Sequence, residues 1–246
     1  MTQRQHPKMA LICPRVEARR TPGGEEEVTL HLSAPEMPDL TLKTPPPSAP
    51  TEQIRVWRTF GEAVDMGREV ALWLEEYLGE EGFRLFYMSP HHKPRELLAD
   101  GEWRDLCSEG EVSGFSDLSP VLMISEASLK RLNSHLDTHL PMQRFRPNIV
   151  ISNCQPHQED EWKELRIGDT LLRNIKPCHR CKVTTVNHEK GEFAGQEPLE
   201  TLRKYRLYEM VHQKVDKRFG INPLFGTNFG VLKTGNLAVG DTVSIV

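Results

Sequence analysis

The sequence predicts an α+β chain dominated by β-structure, with a small β-barrel in its last third. Three observations predict it. Short alternating or β-branched runs recur along the chain between Gly, Pro and Asp turns, as in Val28-Thr29-Leu30-His31-Leu32 and Val121-Leu122-Met123-Ile124. Helical periodicity is confined to a few segments. Leu165-Arg166-Ile167-Gly168-Asp169-Thr170 is echoed by Leu237-Ala238-Val239-Gly240-Asp241-Thr242, each an alternating strand running into a Gly-Asp turn, with short β-branched strands between.

Lys8 to Val16 is an apolar-rich run that reads as β. Val28, Leu30 and Leu32 alternate with polar residues, the period of a half-buried strand, and Thr21-Pro22-Gly23-Gly24 before them reads as a hairpin tip. Leu40-Thr41-Leu42 is a short strand ended by Pro45-Pro46-Pro47, because proline donates no ladder hydrogen bond; Ile54 to Trp57 is another. Val64, Val70, Ala71, Leu74, Tyr77 and Leu78 share one face of a helix predicted from Gly61 to Leu78, with Gly79 as its stop. Phe83 to Met88 reads as a strand, and the polar stretch from Ser89 to Gly114 as a long surface excursion in which His91-His92 and the acids are solvated. Val121 to Ile124 is a buried strand, and Ser125 caps a helix with Leu129, Leu132 and Leu136 on its inner side. Phe145 to Ile151 is extended around Pro147, and Glu159 to Leu165 is an acidic turn or short helix, with His157 in a solvated loop before it. Leu171 to Ile175 and Lys182 to Val186 are strands, and Pro198 opens a short helix through Leu202.

Bulk properties narrow the function classes. The 246 residues suffice for one large domain or two small ones with a real core. A net charge of −4 lacks the basic footprint of a dedicated nucleic-acid binder. No apolar run reaches the length of a membrane span, and the first residues carry no secretory signal. Five cysteines, an odd count, favour a reducing compartment with functional or buried thiols.

The chemistry concentrates in Pro177-Cys178-His179-Arg180-Cys181, which the β-branched run Lys182 to Val186 follows. Four readings of the two cysteines stay open on the residues alone. A thioredoxin-type dithiol has this spacing, although it wants a helix after the first Cys. Structural zinc needs two further ligands, and Cys13, Cys107 and Cys154 stand singly. The thiols are otherwise incidental barrel cysteines, or one of them is a thiolate on a soft metal beside the charge of Arg180. Arg144-Phe145-Arg146-Pro147-Asn148 offers two guanidiniums and an amide to a phosphate or heterocycle, or a solvated pair. Phe115-Ser116-Asp117-Leu118-Ser119-Pro120 and Pro223-Leu224-Phe225-Gly226-Thr227-Asn228-Phe229 are polar loops with the same ambiguity. Dinucleotide, Walker A, H-E-x-x-H and G-x-S-x-G motifs are absent from the sequence.

In order, Ser116-Asp117-Leu118-Ser119-Pro120, Ile124-Ser125-Glu126-Ala127-Ser128-Leu129, Phe145-Arg146-Pro147-Asn148-Ile149-Val150-Ile151, Glu159-Asp160-Glu161-Trp162, Ile167-Gly168-Asp169, Cys178-His179-Arg180-Cys181, Thr184-Thr185-Val186 and Glu197-Pro198-Leu199-Glu200-Thr201-Leu202-Arg203-Lys204-Tyr205-Arg206 resemble the MOSC-domain family, in its amidoxime-reducing component form. The resemblance reaches back to Thr2-Gln3-Arg4-Gln5 and Pro7. It implies a MOSC-type β-barrel with flanking helices over 116–246, and over 1–115 a partial α/β region of the MOSC N-terminal type. It implies a molybdenum cofactor, a pterin dithiolene with a phosphate tail. Cys181 would supply the protein thiolate to the metal, with Cys178 a neighbour. Arg146, Asn148, His179, Arg180, Asp117, Ser119, Thr227 and Asn228 would hold the pterin and its phosphate.

The implied activity is two-electron reduction of N-hydroxylated compounds such as amidoximes and hydroxylamines. Electrons would come from NADH through NADH-cytochrome b5 reductase and cytochrome b5, at the cytosolic side of the outer mitochondrial membrane. In the family a membrane anchor and roughly fifty or more residues precede the Thr-Gln-Arg element, whereas here Met1 stands directly before it. The expectation is therefore an N-terminally shortened, anchor-free and cytosolic form that lacks one wall of the pocket. Its alternatives are a non-catalytic carrier of sulfur or cofactor and an inactive remnant.

Overall fold

The computed structural model describes residues 3–20, 26–89, 91–97 and 101–246, so the hairpin tip expected at Thr21 to Gly24 lies outside the described residues. The chain divides into two compact units, Met1–Val56, Phe60–Pro94 and Val186–Phe193 in one, Trp57–Thr59, Arg95–Thr185 and Ala194–Val246 in the other.

The first unit opens on a 3-10 helix, Pro7–Leu11, where a strand was expected; the proline sits in its first turn, and extended structure begins only at Cys13. Strands β1 (Cys13–Arg20), β2 (Glu26–Ser33) and β3 (Leu40–Lys43) form an antiparallel sheet in that order. β4 (Glu52–Val56), β5 (Thr59–Asp65) and β6 (Phe86–Tyr87) form a second. The helix α1 covers Arg68–Leu78 only. Gly61 to Asp65 belongs to β5, where Thr59, Gly61 and Ala63 are buried in alternation, a period of two that the helical reading of Val64 overlooked. Asp65 accepts a hydrogen bond from the Gly67 N–H at 2.9 Å, which turns the chain into the helix. Gly79 closes α1 in the left-handed conformation at φ 72°, its N–H on the Glu75 carbonyl. Val70, Trp73, Leu74 and Tyr77 of α1 pack with Leu32, Leu40 and Leu42 of the first sheet into one core.

The second unit contains all the predicted site residues. Its first stretch is not the solvated excursion expected between Ser89 and Gly114. β7 (Arg95–Glu96) pairs with β8 (Val112–Ser113), and Arg95, Leu97, Trp103 and Glu111 are buried. Their charges are matched: Arg95 donates to Thr59 and to the Gly114 and Ser116 carbonyls, and Glu111 accepts from Arg173 at 2.7 Å. β9 (Val121–Ser125) runs into α2 (Glu126–Asn133), which Ser125 caps by accepting from the Ser128 N–H at 3.0 Å. A 3-10 helix, Met142–Phe145, then puts Arg146 in the left-handed region before β10 (Ile149–Ile151), so only the end of the expected extended run is strand. β11 (Glu164–Ile167) turns at Gly168 into the long β12 (Thr170–His179).

Lys182–Thr185 is a 3-10 helix where a strand was expected. β-branched residues favour strands, but here the threonine hydroxyls return to the backbone: Thr184 Oγ1 donates to the Cys181 carbonyl and Thr185 Oγ1 to that of Lys182, each at 2.9 Å. The hairpin β13 (Val186–Asn187) and β14 (Glu192–Phe193) belongs to the first unit. Short helices α3 (Leu199–Arg203) and α4 (Tyr208–His212) precede β15 (Leu224–Lys233) and β16 (Val243–Ile245). The echo of the Gly-Asp motif is partial, since Leu237 to Val239 is not a strand, yet the β16 that follows it pairs with β11 of the first copy.

Six strands form a curled, half-barrel sheet in the order β10-β9-β15-β12-β11-β16, the α+β, β-rich architecture expected. β9 and β10 are parallel and joined through α2; the other pairs are antiparallel. β15 is the central strand, buried on both faces from Leu224 to Gly230. Gly226 sits at φ +77°, and a Cβ there would lie 2.5 Å from Ile124 Cγ1 and 2.8 Å from the Met123 carbonyl oxygen. Only glycine meets both conditions.

Candidate functional site

The Cys-His-Arg-Cys run is the exit of β12. The ladder between β12 and β15 slips between Asn174 and Lys176 and again between Pro177 and His179. Such bulges break strict alternation and re-aim side chains. Pro177 pairs with Thr227, Lys176 with Asn228 and His179 with Leu224, so the exit of β12 and the start of β15, a buried strand where a polar loop was expected, lie side by side. The thiol of Cys181 is half-buried and unbridged, and its carbonyl anchors the 3-10 turn that follows.

Arg180 ties this exit to the Phe145 segment. The residue is 7% exposed; one guanidinium nitrogen donates to the Phe145 carbonyl at 2.6 Å, another lies 3.1 Å from Cys178 Sγ, and the backbone N–H donates to the Pro223 carbonyl at 2.8 Å. Its charge also lies 5.6 Å from the centre of the Phe145 ring. Beside it the two arginines of the Phe145 segment diverge in environment. Arg144 is buried, whereas Arg146 is exposed; its backbone N–H donates to the Gln143 carbonyl at 3.1 Å, and its guanidinium makes no hydrogen bond or ion pair with a described residue.

A second group forms across the starts of β9 and β15. Ser119 is buried and donates to Asn228 Oδ1 at 3.1 Å. Asn228 pairs with Leu122, whose N–H donates to Asn148 Oδ1 at 2.8 Å while its carbonyl accepts from the Asn148 N–H. Ser119, Asn148 and Asn228 are thus joined through one residue of β9. Thr227, fully buried, spends its hydroxyl on Asp160 Oδ1 at 2.6 Å. Asp117 stays exposed in the loop before β9, outside these contacts. His179 accepts or shares a hydrogen bond with Lys176.

Four residues have no local sequence signal strong enough to find them. Asp160, expected in a solvated turn, forms a buried ion pair with Arg206 and fastens the 3-10 turn Gln158–Asp160 to β15 through Thr227. Glu159 is fully buried, accepting from the Ser125 N–H at 3.1 Å and Ser128 Oγ at 2.7 Å, and burial pushes its carboxyl above the usual range. The ring nitrogens of His157 are buried without a partner among the described residues; burial, with the Arg206 and Arg131 charges, holds its pKa down at about 3. The solvated loop expected here is an inner turn. Lys176 is the fourth, a buried lysine within β12.

Among the described residues no group of three or more His, Cys, Asp and Glu side chains could hold a metal ion by itself. A cavity of about 590 Å³ beside α2, bordered by Leu129, Lys130, Met142 and Val150, includes none of the predicted site residues. Among the described residues no helix is long and apolar enough to cross a membrane.

A half-barrel sheet whose long inner strand ends on Cys-His-Arg-Cys, packed against an Arg-Pro-Asn segment, defines a class that the comparisons name. Residues 111–244 match the family model of the MOSC domain, and residues 1–81 that of the MOSC N-terminal beta barrel domain. The chain belongs to the MOSC-domain family, in the line of the mitochondrial amidoxime-reducing components. It is 38% identical over 248 residues to mitochondrial amidoxime-reducing component 1 of Homo sapiens, covering 100% of this chain and 69% of that protein. To component 1 of Mus musculus it is 37% identical over 247 residues, covering 100% of this chain and 68% of that protein. Component 2 of Rattus norvegicus is 37% identical over 246 residues, 99% of this chain and 68% of that protein.

Proposed function

We propose that the chain is an oxidoreductase of N-hydroxylated compounds, amidoximes and hydroxylamines, that works with a molybdenum cofactor. The carrying observation is the free, half-buried thiol of Cys181 directly after the buried guanidinium of Arg180, in a chain of this family. A soft thiolate suits molybdenum, and a fixed guanidinium beside it favours the thiolate and an anionic tail.

The donor set fits a phosphate-bearing heterocycle. The side-chain oxygens of Asn148 and Asn228 are already engaged by Leu122 and Ser119, so their amide nitrogens are what they offer. Arg146 adds an exposed guanidinium and Asp117 an exposed carboxylate acceptor. Arg180, Arg146, Asn148 and Asn228 would hold the phosphate and pterin from the donor side. Asp117 would accept from pterin N–H groups, Ser119 and Thr227 would orient Asn228 and β15, and His179 would add a contact beside Arg180. When bound, the cofactor supplies a two-electron reduction in which the N–OH oxygen leaves as water with two protons and the amidine or amine remains. Cys181 would hold the metal, with Arg180 fixing the turn that carries Cys181 and the buried Asp160–Arg206 pair fixing the strand opposite.

The same reading takes electrons from NADH through NADH-cytochrome b5 reductase and cytochrome b5. It places the protein at the mitochondrion, the word its relatives' names carry, on the cytosolic face of the outer membrane, and puts the domain boundary at 115/116. The test is NADH-dependent reduction of benzamidoxime with both cytochrome partners, on chain expressed in a host that makes the cofactor. Turnover is expected for the unmodified chain and for Cys178→Ser. Turnover that survives Cys181→Ala would remove Cys181 from the reaction, and a molybdenum-loaded chain without turnover would favour a carrier.

A further inference from the structure

Lys176 lies within β12 with 4% of its surface exposed. Burying an ammonium is costly unless it is compensated. Its Nζ lies 4.1 Å from the centre of the Trp103 ring and 5.0 Å from that of Phe219, 3.2 Å from the Pro177 carbonyl oxygen and 3.1 Å from His179 Nδ1. Two aromatic rings at cation–π distance favour the charged amine. An ammonium only donates, so Nδ1 is the acceptor and the imidazole proton sits on Nε2.

The spacing makes this contact unusual. Residues three apart in a regular strand face opposite sides. The ladder slip between Pro177 and His179 breaks that alternation, and both side chains meet the same two rings. The His179 ring lies 5.9 Å from Trp103 at 30° and 5.8 Å from Phe219 at 85°. Arg218, bound to Asp216 and Asp105, sits 4.7 Å from the Trp103 ring centre, which leaves that indole little freedom.

We propose that Lys176 is a positioning residue that locks His179 as its Nε2–H tautomer, so that the segment offers a second hydrogen-bond donor, adjacent in sequence to Arg180, to a phosphate or carbonyl acceptor of the bound cofactor. The use of that donor rests on the cofactor reading above; the tautomer itself does not. The Lys176 amine and the two rings all pack against the imidazole at the exit of β12.

Lys176→Met keeps the stem against Trp103 and removes the ammonium. Long-range proton–nitrogen correlation spectra of the full chain labelled with ¹⁵N-histidine, with His179 assigned by loss of its signals in His179→Phe, report the tautomer. The unmodified chain is expected to show Nε2–H, and Lys176→Met a mixture of tautomers. Pterin retention, read by fluorescence after oxidative release, is expected to fall roughly fivefold in Lys176→Met, the scale of one net hydrogen bond. The same substitution is expected to add no further loss in a His179→Phe background. Nδ1–H in the unmodified chain overturns the proposal without any variant needing to fold. So does an unchanged tautomer in Lys176→Met, or full additivity of the two substitutions. An unmodified chain that shows Nε2–H but carries no pterin overturns the cofactor reading and the use of the donor, and leaves the Lys176–His179 lock supported.

Discussion

Arg180 joins three parts of the chain with a single side chain and its own backbone N–H. Replacing it by alanine strips the Phe145 carbonyl of its guanidinium donor and frees the exit of β12. Arg180→Ala should lower stability by about 1–3 kcal/mol in urea unfolding, the cost of leaving a buried acceptor unmade. Arg180→Lys should recover only part of it, because an ammonium lacks the guanidinium's planar set of donors. His157 sets a second residue-scale expectation. Its pKa falls from 6.5 unfolded to about 3 folded. A depressed histidine contributes stability that is complete above pH 6.5 and drains away as pH falls through that range toward 3. At roughly 1.4 kcal/mol per unit, the loss reaches several kcal/mol. Buried Glu159 acts in the opposite sense: its raised carboxyl favours the protonated form, so its contribution is present at low pH and lost as pH rises through the raised pKa. Denaturant titrations at stepped pH should therefore show acid destabilisation that flattens in His157→Phe. An unchanged profile in that variant would mean that His157 titrates in water.

At the scale of elements, β15 carries the design. It is buried on both faces, pairs with β9 on one side and β12 on the other, and brings Thr227 and Asn228 alongside Pro177 and Lys176. Gly226→Ala should destabilise the chain by more than about 1 kcal/mol, because a positive φ and contact with Ile124 both oppose a Cβ. Thermal unfolding reads the effect, and a neutral result would mean that β15 relaxes away from β9. Much of this framework was legible locally. The alternation of Val28, Leu30 and Leu32, the Ser125 cap before an apolar-faced helix and the Gly79 stop each declare themselves within a few residues. What stayed hidden depends on distant partners. Lys182 to Thr185 looked like strand because nothing in β-branching says that two hydroxyls will fold back on their own backbone. Glu159 and His157 looked solvated because Ser125, Ser128 and Arg206 reach them only after folding. Nothing in the sequence around Lys176 announces the Trp103 and Phe219 rings that surround its amine.

For the whole molecule, the two family models match residues 1–81 and 111–244, and every side chain assigned to the cofactor lies in the second unit. The Cys-His-Arg-Cys run was readable as a chemical centre from residue types alone. Among dithiol, zinc, incidental thiol and soft-metal ligand, the proposal takes the last on the strength of the family. The folded surroundings separate the cysteines: Cys178 lies against Arg180, while Cys181 starts the turn whose threonine closes on its carbonyl. The central claim is that Cys181 alone ties the metal to the protein. The most direct measurement is molybdenum and pterin per chain, by elemental analysis and fluorescence, for Cys181→Ser and Cys178→Ser purified from a cofactor-producing host. The account predicts near-stoichiometric molybdenum in the unmodified chain and in Cys178→Ser, with loss in Cys181→Ser. Full molybdenum in Cys181→Ser, or none in the unmodified chain, would contradict it.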